Sequence, residues 1–207
     1  MGLNRRKVLS VLVLLLLSGS LLGFVANYLF PPTPPPGTSG RLFLETSVGR
    51  VVVELDWEAA PGSVGRLVEA VEEGFFDGLC FHSVIPGFVA MTGAFTPNGT
   101  YRGGGTSFGV EGEGELPNEE GTVGVVWTKG EGGGSTVLYF NLADNPTLDG
   151  EQEGDYGYVV VGRVVEGWEA LEALSQVETT TLETAFGEVR FWPVEPVVVE
   201  RAYLEGG

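Results

Sequence analysis

The chain has 207 residues, 43% of them hydrophobic, and a formal net charge of −17 from 28 Asp and Glu against 11 Lys and Arg. No carboxylate precedes Glu45, so residues 41–207 carry all 28 acidic groups against eight basic ones, a net of −20. Such a surface repels phosphate backbones and anionic headgroups, which excludes nucleic acid as a partner; a soluble, self-repelling surface is the reading, with basic partners or cations as a minor alternative.

Arg5, Arg6 and Lys7 precede residues 8–30, a stretch with no charged side chain. As a helix it is long enough to cross a hydrocarbon core of roughly 30 Å. A cleaved signal peptide is the competing reading, but its apolar run is about 7–15 residues and ends on small residues. Here the run is longer and only Ala26 suits a cleavage site, so the segment reads as an uncleaved transmembrane anchor. Residues 1–7 are then a cytoplasmic basic head, and the C-terminal bulk lies outside by the positive-inside tendency. Residues 31–40, with Pro31, Pro32, Pro34, Pro35 and Pro36, form a stiff polyproline linker.

Residues 41–47 and 50–56 are short β-rich runs around Val48-Gly49, a hairpin that opens a domain at 41–207. Pro61 starts a helix in which Val64, Leu67, Val68 and Val71 form one apolar stripe, and Gly74 ends it at C′. Between residues 79 and 165, short apolar strands alternate with glycine-rich turns, a β framework carrying long loops. A second helix is predicted over 167–177, with Ala170, Leu171, Leu174 and Val177 on one face. Residues 196–204 supply a closing strand able to pair with the first.

The glycine runs at 103–105 and 130–134 lack the Lys-Ser/Thr of a phosphate loop and read as turns. Glu outnumbers Asp with no calcium-loop spacing, so no metal site and no cofactor is assigned. Cys80 is the only cysteine and reads as a small buried hydrophobe. Asn98-Gly99-Thr100 fits the N-glycosylation pattern in a predicted loop.

Phe81-His82-Ser83-Val84-Ile85-Pro86-Gly87-Phe88 and, after Val89-Ala90, Met91-Thr92-Gly93-Ala94 resemble the central motif of the cyclophilins, the peptidyl-prolyl isomerases. In that family the stretch reads Phe-His-Arg-Val-Ile-Pro-Gly-Phe and then Gln-Gly-Gly-Asp. Further segments match in order: Glu45-Thr46-Ser47-Val48-Gly49-Arg50, Gly74-Phe75-Phe76-Asp77-Gly78, Gly121-Thr122-Val123-Gly124-Val125, Phe140-Asn141-Leu142, Leu148-Asp149-Gly150 and Val161-Gly162-Arg163-Val164. The resemblance covers nearly all of residues 42–204. It implies a mainly β fold, a closed eight-stranded antiparallel barrel capped by two helices.

It also implies isomerisation of the bond before proline, whose barrier of about 18–20 kcal/mol comes from broken amide resonance. As the amide twists, the proline nitrogen gains a lone pair, and a guanidinium beside it donates a bond stronger in that state than in the planar one. At the family's catalytic positions this chain has Ser83 for the Arg and Met91 for the Gln, so neither supplies that donor. The matched ligand-binding positions are His82, retained; Phe88, a pocket wall; Val126 for Ala and Trp127 for a polar rim residue; Val137 for Gln; Tyr139 for the pocket Phe; Leu148, retained; and Tyr158, where family members have His or Tyr. Taken as residues alone, His82 equally fits a hydrogen-bonded structural histidine, Met91 and Val137 core positions, and Trp127 a packed loop aromatic.

Three functions are then in view. One is a membrane-anchored isomerase assisting extracytoplasmic proteins through proline-containing segments. The second is a catalytically weak or inactive peptide-binding module on the same scaffold. The third is a structural component of a cell-surface assembly.

Overall fold

The computed structural model describes residues 40–103, 108, 116–128, 135–150 and 156–205, all within a unit spanning 33–207. The predicted anchor at 8–30, nearly all of the linker and most of both glycine runs lie outside the described residues. Among the described residues no helix is long and apolar enough to cross a membrane.

The opening hairpin pairs β1 (Arg41–Thr46) with β2 (Gly49–Leu55) in a register that sets Thr46 opposite Gly49. The two turn residues are therefore Ser47 and Val48, one position earlier than the sequence suggested. Helix α1 (Pro61–Glu72) begins on its proline and buries Val64, Leu67, Val68 and Val71. It ends in a Schellman arrangement: Gly74 at C′ has φ +68, its N–H donates to the Val71 carbonyl, and Phe75 N–H donates to that of Ala70. Six further strands continue the sheet or its surroundings: β3 (Ser83–Val84), β4 (Val89–Thr92), β5 (Thr122–Thr128), β6 (Leu138–Asn141) and β7 (Tyr156–Glu166), then β10 (Val199–Leu204) near the C-terminus. Helix α2 (Trp168–Ser175) buries Ala170, Leu171 and Leu174, with Val177 just beyond it packed against the core.

Eight strands form one antiparallel sheet in the order β10-β1-β2-β7-β5-β6-β4-β3. The predicted pairing of the last strand with the first is present, Leu42 lying opposite Leu204. The closed barrel is replaced by a curled sheet whose ladder stops at β3 and β10. Among the described residues these edges meet only ahead of β3, where Cys80 bridges Val198, Phe81 N–H donates to the Val197 carbonyl at 2.9 Å and Val199 N–H to that of Leu79 at 2.8 Å. A two-residue β3 is too short to extend that contact into a ladder.

Alternation divides the sheet's two faces. Leu42, Leu44, Val51, Val53, Val123, Val125, Leu138, Phe140, Val159 and Val161 point into the main core with the apolar stripes of both helices. Cys80 is buried as expected, and burial pushes its thiol up to about 12. Asn98 sits in an exposed turn, where its side-chain oxygen accepts from Thr100 N–H at 3.2 Å.

One element was not foreseen. β8 (Thr179–Thr184) and β9 (Gly187–Pro193) form a separate two-stranded hairpin between α2 and β10, and β9 packs beside β3. Its register pairs Thr180 with Trp192 but Leu182 with Val189, so β9 holds one residue more than β8 over that span. That bulge at Arg190-Phe191 turns both Val189 and Trp192 to the same side, onto Cys80, Ala94, Phe95 and Val137. It also sets Phe191 at φ +59, the left-handed region, which costs a side-chain-bearing residue about 1–2 kcal/mol.

Candidate active site

The registers of four strand pairs place one row of residues across the outer face of the sheet. Ser83 on β3 lies opposite Met91 on β4, Met91 opposite Tyr139 on β6, Tyr139 opposite Gly124 on β5, and Gly124 opposite Val160 on β7. Cross-strand neighbours on one face touch directly, so the two family catalytic positions and the altered pocket position are consecutive members of a single row.

Around Tyr139 the chain gathers a small apolar cluster separate from the main core. Val89, Tyr139 and Leu148 are its buried members, and Phe88, Met91, Val126 and Tyr158 pack against them. Six predicted site residues therefore meet: Phe88, Met91, Val126, Tyr139, Leu148 and Tyr158. Ser83 continues the row beyond Met91, partly exposed, its side chain making no hydrogen bond among the described residues.

The other three stand apart. Trp127 shares the parity of Val123 and Val125, packs against the main core and lies over Gly157, where an added Cβ would fall 2.2 Å from its indole nitrogen. Val137 packs with the β8–β9 hairpin cluster. His82 is buried beside Phe95, ring centroids 5.4 Å apart, with Nδ1 unpartnered. Burial holds its pKa down at about 4, so the ring is neutral at ordinary pH, and its Nδ1 lacks the hydrogen bond expected of a structural histidine.

Tyr139 owes its position to what is missing opposite it. Gly124 has no side chain, and the phenol lies across it so closely that a Cβ there would sit 2.2 Å from Cζ. The hydroxyl donates to Asn118 Oδ1 at 2.8 Å, the ring is fully buried, and burial raises its pKa. Tyr158 stands edge-on to it at 5.5 Å, and Tyr156 edge-on to Tyr158 at 6.0 Å.

Beneath this floor runs a buried polar network that the sequence reading missed. Asn118 donates through its backbone N–H and Nδ2 to Asp149 Oδ1, at 2.8 and 2.9 Å. Asn141 Nδ2 donates to Asn118 Oδ1 and Thr122 Oγ1, and Asn145 Nδ2 to Asn141 Oδ1 and the Phe88 carbonyl. These bonds pin Phe88, Tyr139 and the segment bearing Leu148 to one frame. Asn141 and Asp149 fell within segments already matched to the family, a usable signal; Asn118 had none.

A cavity of about 630 Å³ opens where the row ends at Val160, lined by Trp57, Glu54, Asp56, Leu116, Glu119 and Arg163 among others. It contains none of the predicted site residues. Among the described arginines, Arg163 pairs with Glu119 at 3.0 Å, Arg50 with Glu45 at 2.7 Å and Arg41 with Glu166 at 4.0 Å, Arg102 donates to the carbonyls of Asp77 and Phe75, and Arg201 lies over the Tyr203 ring. Arg190 is exposed on β9.

Residues 41–203 match the family model of the cyclophilin type peptidyl-prolyl cis-trans isomerases. The chain is 34% identical to peptidyl-prolyl cis-trans isomerase A of Dickeya dadantii over 175 residues, covering 84% of this chain and 90% of the relative. It is 33% identical to a peptidyl-prolyl cis-trans isomerase of Streptomyces antibioticus, covering 79% and 97%. A crystal structure of a Cryptosporidium parvum cyclophilin superposes with a TM-score of 0.64 at 19% identity, covering 81% of this chain and 98% of that one, and a second, in the presence of the dipeptide Ala-Pro, with 0.63. The chain belongs to the cyclophilin-type peptidyl-prolyl isomerase family.

Two consequences are measurable. Gly124→Ala is expected to destabilise the domain by about 1–3 kcal/mol, because the added methyl meets a buried, hydrogen-bonded phenol with no room to retreat. Combined with Tyr139→Leu, the loss in denaturant unfolding is expected to be less than the sum of the two; strict additivity would break the packing argument. For His82, the folded pKa of about 4 lies below the unfolded value near 6.5, so the unfolded chain takes up the proton first. Its contribution is complete above about pH 6.5, falls as the pH drops towards 4, and reaches a loss of about 3 kcal/mol. His82→Gln is expected to lose less stability than the unmodified chain between pH 7 and pH 4; identical losses would contradict the assignment.

Proposed function

We propose that this chain is a membrane-tethered, extracytoplasmic cyclophilin that receives proline-containing segments at the Tyr139 cluster and isomerises them slowly. The row Ser83–Met91–Tyr139 carries this reading. On this reading a proline seated against Phe88, Met91 and Leu148 would present its nitrogen towards β3, which lies opposite β4 at Ser83 and Met91. There Ser83 offers a short neutral hydroxyl in place of a guanidinium, and Met91 offers no polar partner to orient a donor. Removing one preorganised donor costs about 10²–10³ in rate. The fold neighbour crystallised with Ala-Pro supports a proline-bearing ligand. The tether rests on the uncharged run at 8–30 behind Arg5, Arg6 and Lys7.

A binding module without useful turnover is the second reading, favoured by the full burial of the Tyr139 ring. A ligand would contact the cluster through its partly exposed members, and the isomerase pocket floor would serve as support.

The rate decides between them. In a protease-coupled assay on a proline tetrapeptide, kcat/KM is expected to lie at least about 100-fold below that of the Dickeya dadantii relative. Ser83→Arg is expected to recover part of the difference, and Ser83→Arg with Met91→Gln more, since the second change restores a polar neighbour one strand away. A full rate in the unmodified chain would overturn the proposal and direct attention to Arg190 as a donor. Topology is tested separately: protease added to intact cells or spheroplasts is expected to digest the domain, and protection until lysis would place it on the other side.

A further inference from the structure

Three tyrosines form a continuous line of rings from the buried floor of the site to the surface. Tyr139 is fully buried, Tyr158 stands edge-on to it at 5.5 Å and packs in its cluster, and Tyr156 stands edge-on to Tyr158 at 6.0 Å. Each step is a contact between side chains. Tyr156 ends the line and is 43% exposed. Its flank is open as well: β5 lies on one side, with Val126 opposite Tyr158 and Thr128 opposite Tyr156, while the β2 ladder on the other side of β7 stops at Gly162.

A single exposed tyrosine on a strand needs no explanation of its own. This one stands one ring beyond the cluster that gathers Phe88, Met91, Val126 and Leu148. A client held there by its proline continues at about 3.3–3.6 Å per residue, so a side chain two residues from the proline comes level with Tyr156.

Charge selects that side chain. Glu151, Glu153 and Asp155 lead into Tyr156, and Lys129 and Glu131 follow Thr128, its partner across the ladder. Covalent connectivity keeps Asp155 and Glu153 within about 11 Å of Tyr156, comparable to the roughly 8–10 Å over which salt screens a charge. Around the ring the carboxylates therefore outnumber the single ammonium, on a domain of net charge −20. A cation is drawn to this end of the line and an anion is repelled. The face of a phenol ring attracts a cation, and a guanidinium, flat and weakly hydrated, stacks there better than an ammonium does. The same fold makes this pairing internally, where Arg201 lies over the Tyr203 ring at 4.8 Å.

We propose that Tyr156, backed by Tyr158, is a specificity subsite for a cationic side chain, arginine above all, close to the client's proline. The substrate class is then an extended basic segment around a proline. This rests on the groove reading above: the cluster holds the proline, and Tyr156 selects its neighbour. The surrounding carboxylates concentrate basic segments, and the ring makes the contact.

The test measures binding of the full-length chain, in a neutral detergent, to two blocked biotinylated peptides by surface plasmon resonance. One is Ala-Arg-Ala-Pro-Ala-Arg-Ala, with arginine on both sides so that the direction of binding does not matter; the other carries the neutral isostere citrulline at both places. At about 0.15 M salt the arginine peptide is expected to bind at least about 5-fold more tightly. Tyr156→Leu is expected to weaken the arginine peptide about 3-fold and leave the citrulline peptide unchanged, which also reports an intact fold. Tyr156→Phe keeps the ring and is expected to keep the full preference. If both peptides bind but Tyr156→Leu leaves their ratio as it was, net charge alone makes the preference: the subsite fails and the groove reading stands. If Tyr156→Leu weakens both peptides alike, or Tyr156→Phe loses the preference too, the ring is not the cation's contact and the proposal is overturned. If neither peptide binds the unmodified chain, the groove reading fails and the subsite with it.

Discussion

The antiparallel register aligning Ser83, Met91, Tyr139 and Gly124 is the constraint on which the site depends. A strand pair fixes its register through many hydrogen bonds at once, and a slip by one residue would send every side chain to the opposite face. The row is therefore as fixed as the sheet, and a change at one member is felt by its neighbour. The larger phenol at Tyr139 is accommodated because Gly124 is empty, and its hydroxyl is satisfied because Asn118 is within reach. A buried phenol without that partner would cost about 1–3 kcal/mol, enough to oppose the substitution.

The polar frame below the row is where rigidity comes from. Asn118, Asn141, Asn145 and Asp149 bind one another and the Phe88 carbonyl, so the pocket walls hang from amide hydrogen bonds as well as from apolar contact. Buried amides are stabilising only when nearly all their groups are paired, and this network meets that demand. On the proposed reading, the scaffold that would preorganise a catalytic donor is present and Ser83 supplies none. Binding and rate are thereby separated, since apolar contact with a proline ring is equal in the planar and twisted states, whereas a hydrogen bond to the nitrogen is not.

The hairpin follows a different logic. One inserted residue in β9 brings Val189 and Trp192 to one side, giving a two-stranded ribbon an apolar foot on Phe95 and Ala94. An isolated hairpin is marginal in water; this one is held by its foot, which leaves its tip free to carry exposed aromatics.

By itself the sequence determined the charge, the two helices, the first hairpin, the pairing of the last strand with the first and the family. These follow from local periodicity, turn residues and contiguous motifs. It also named most of the cluster around Tyr139, through the resemblance of its motifs to the family's. Tertiary structure alone decided the rest. The ladder stays open because β3 has two residues; Trp127 faces the core, and Val137 belongs to the hairpin. Asn118 meets Tyr139 across 21 positions of chain and Asp149 across 31. Alternation tells which face a residue takes but not which strand lies beside it, and a single bulge reverses even the face. Partners far apart in sequence are chosen by sheet order and register, which no local pattern contains.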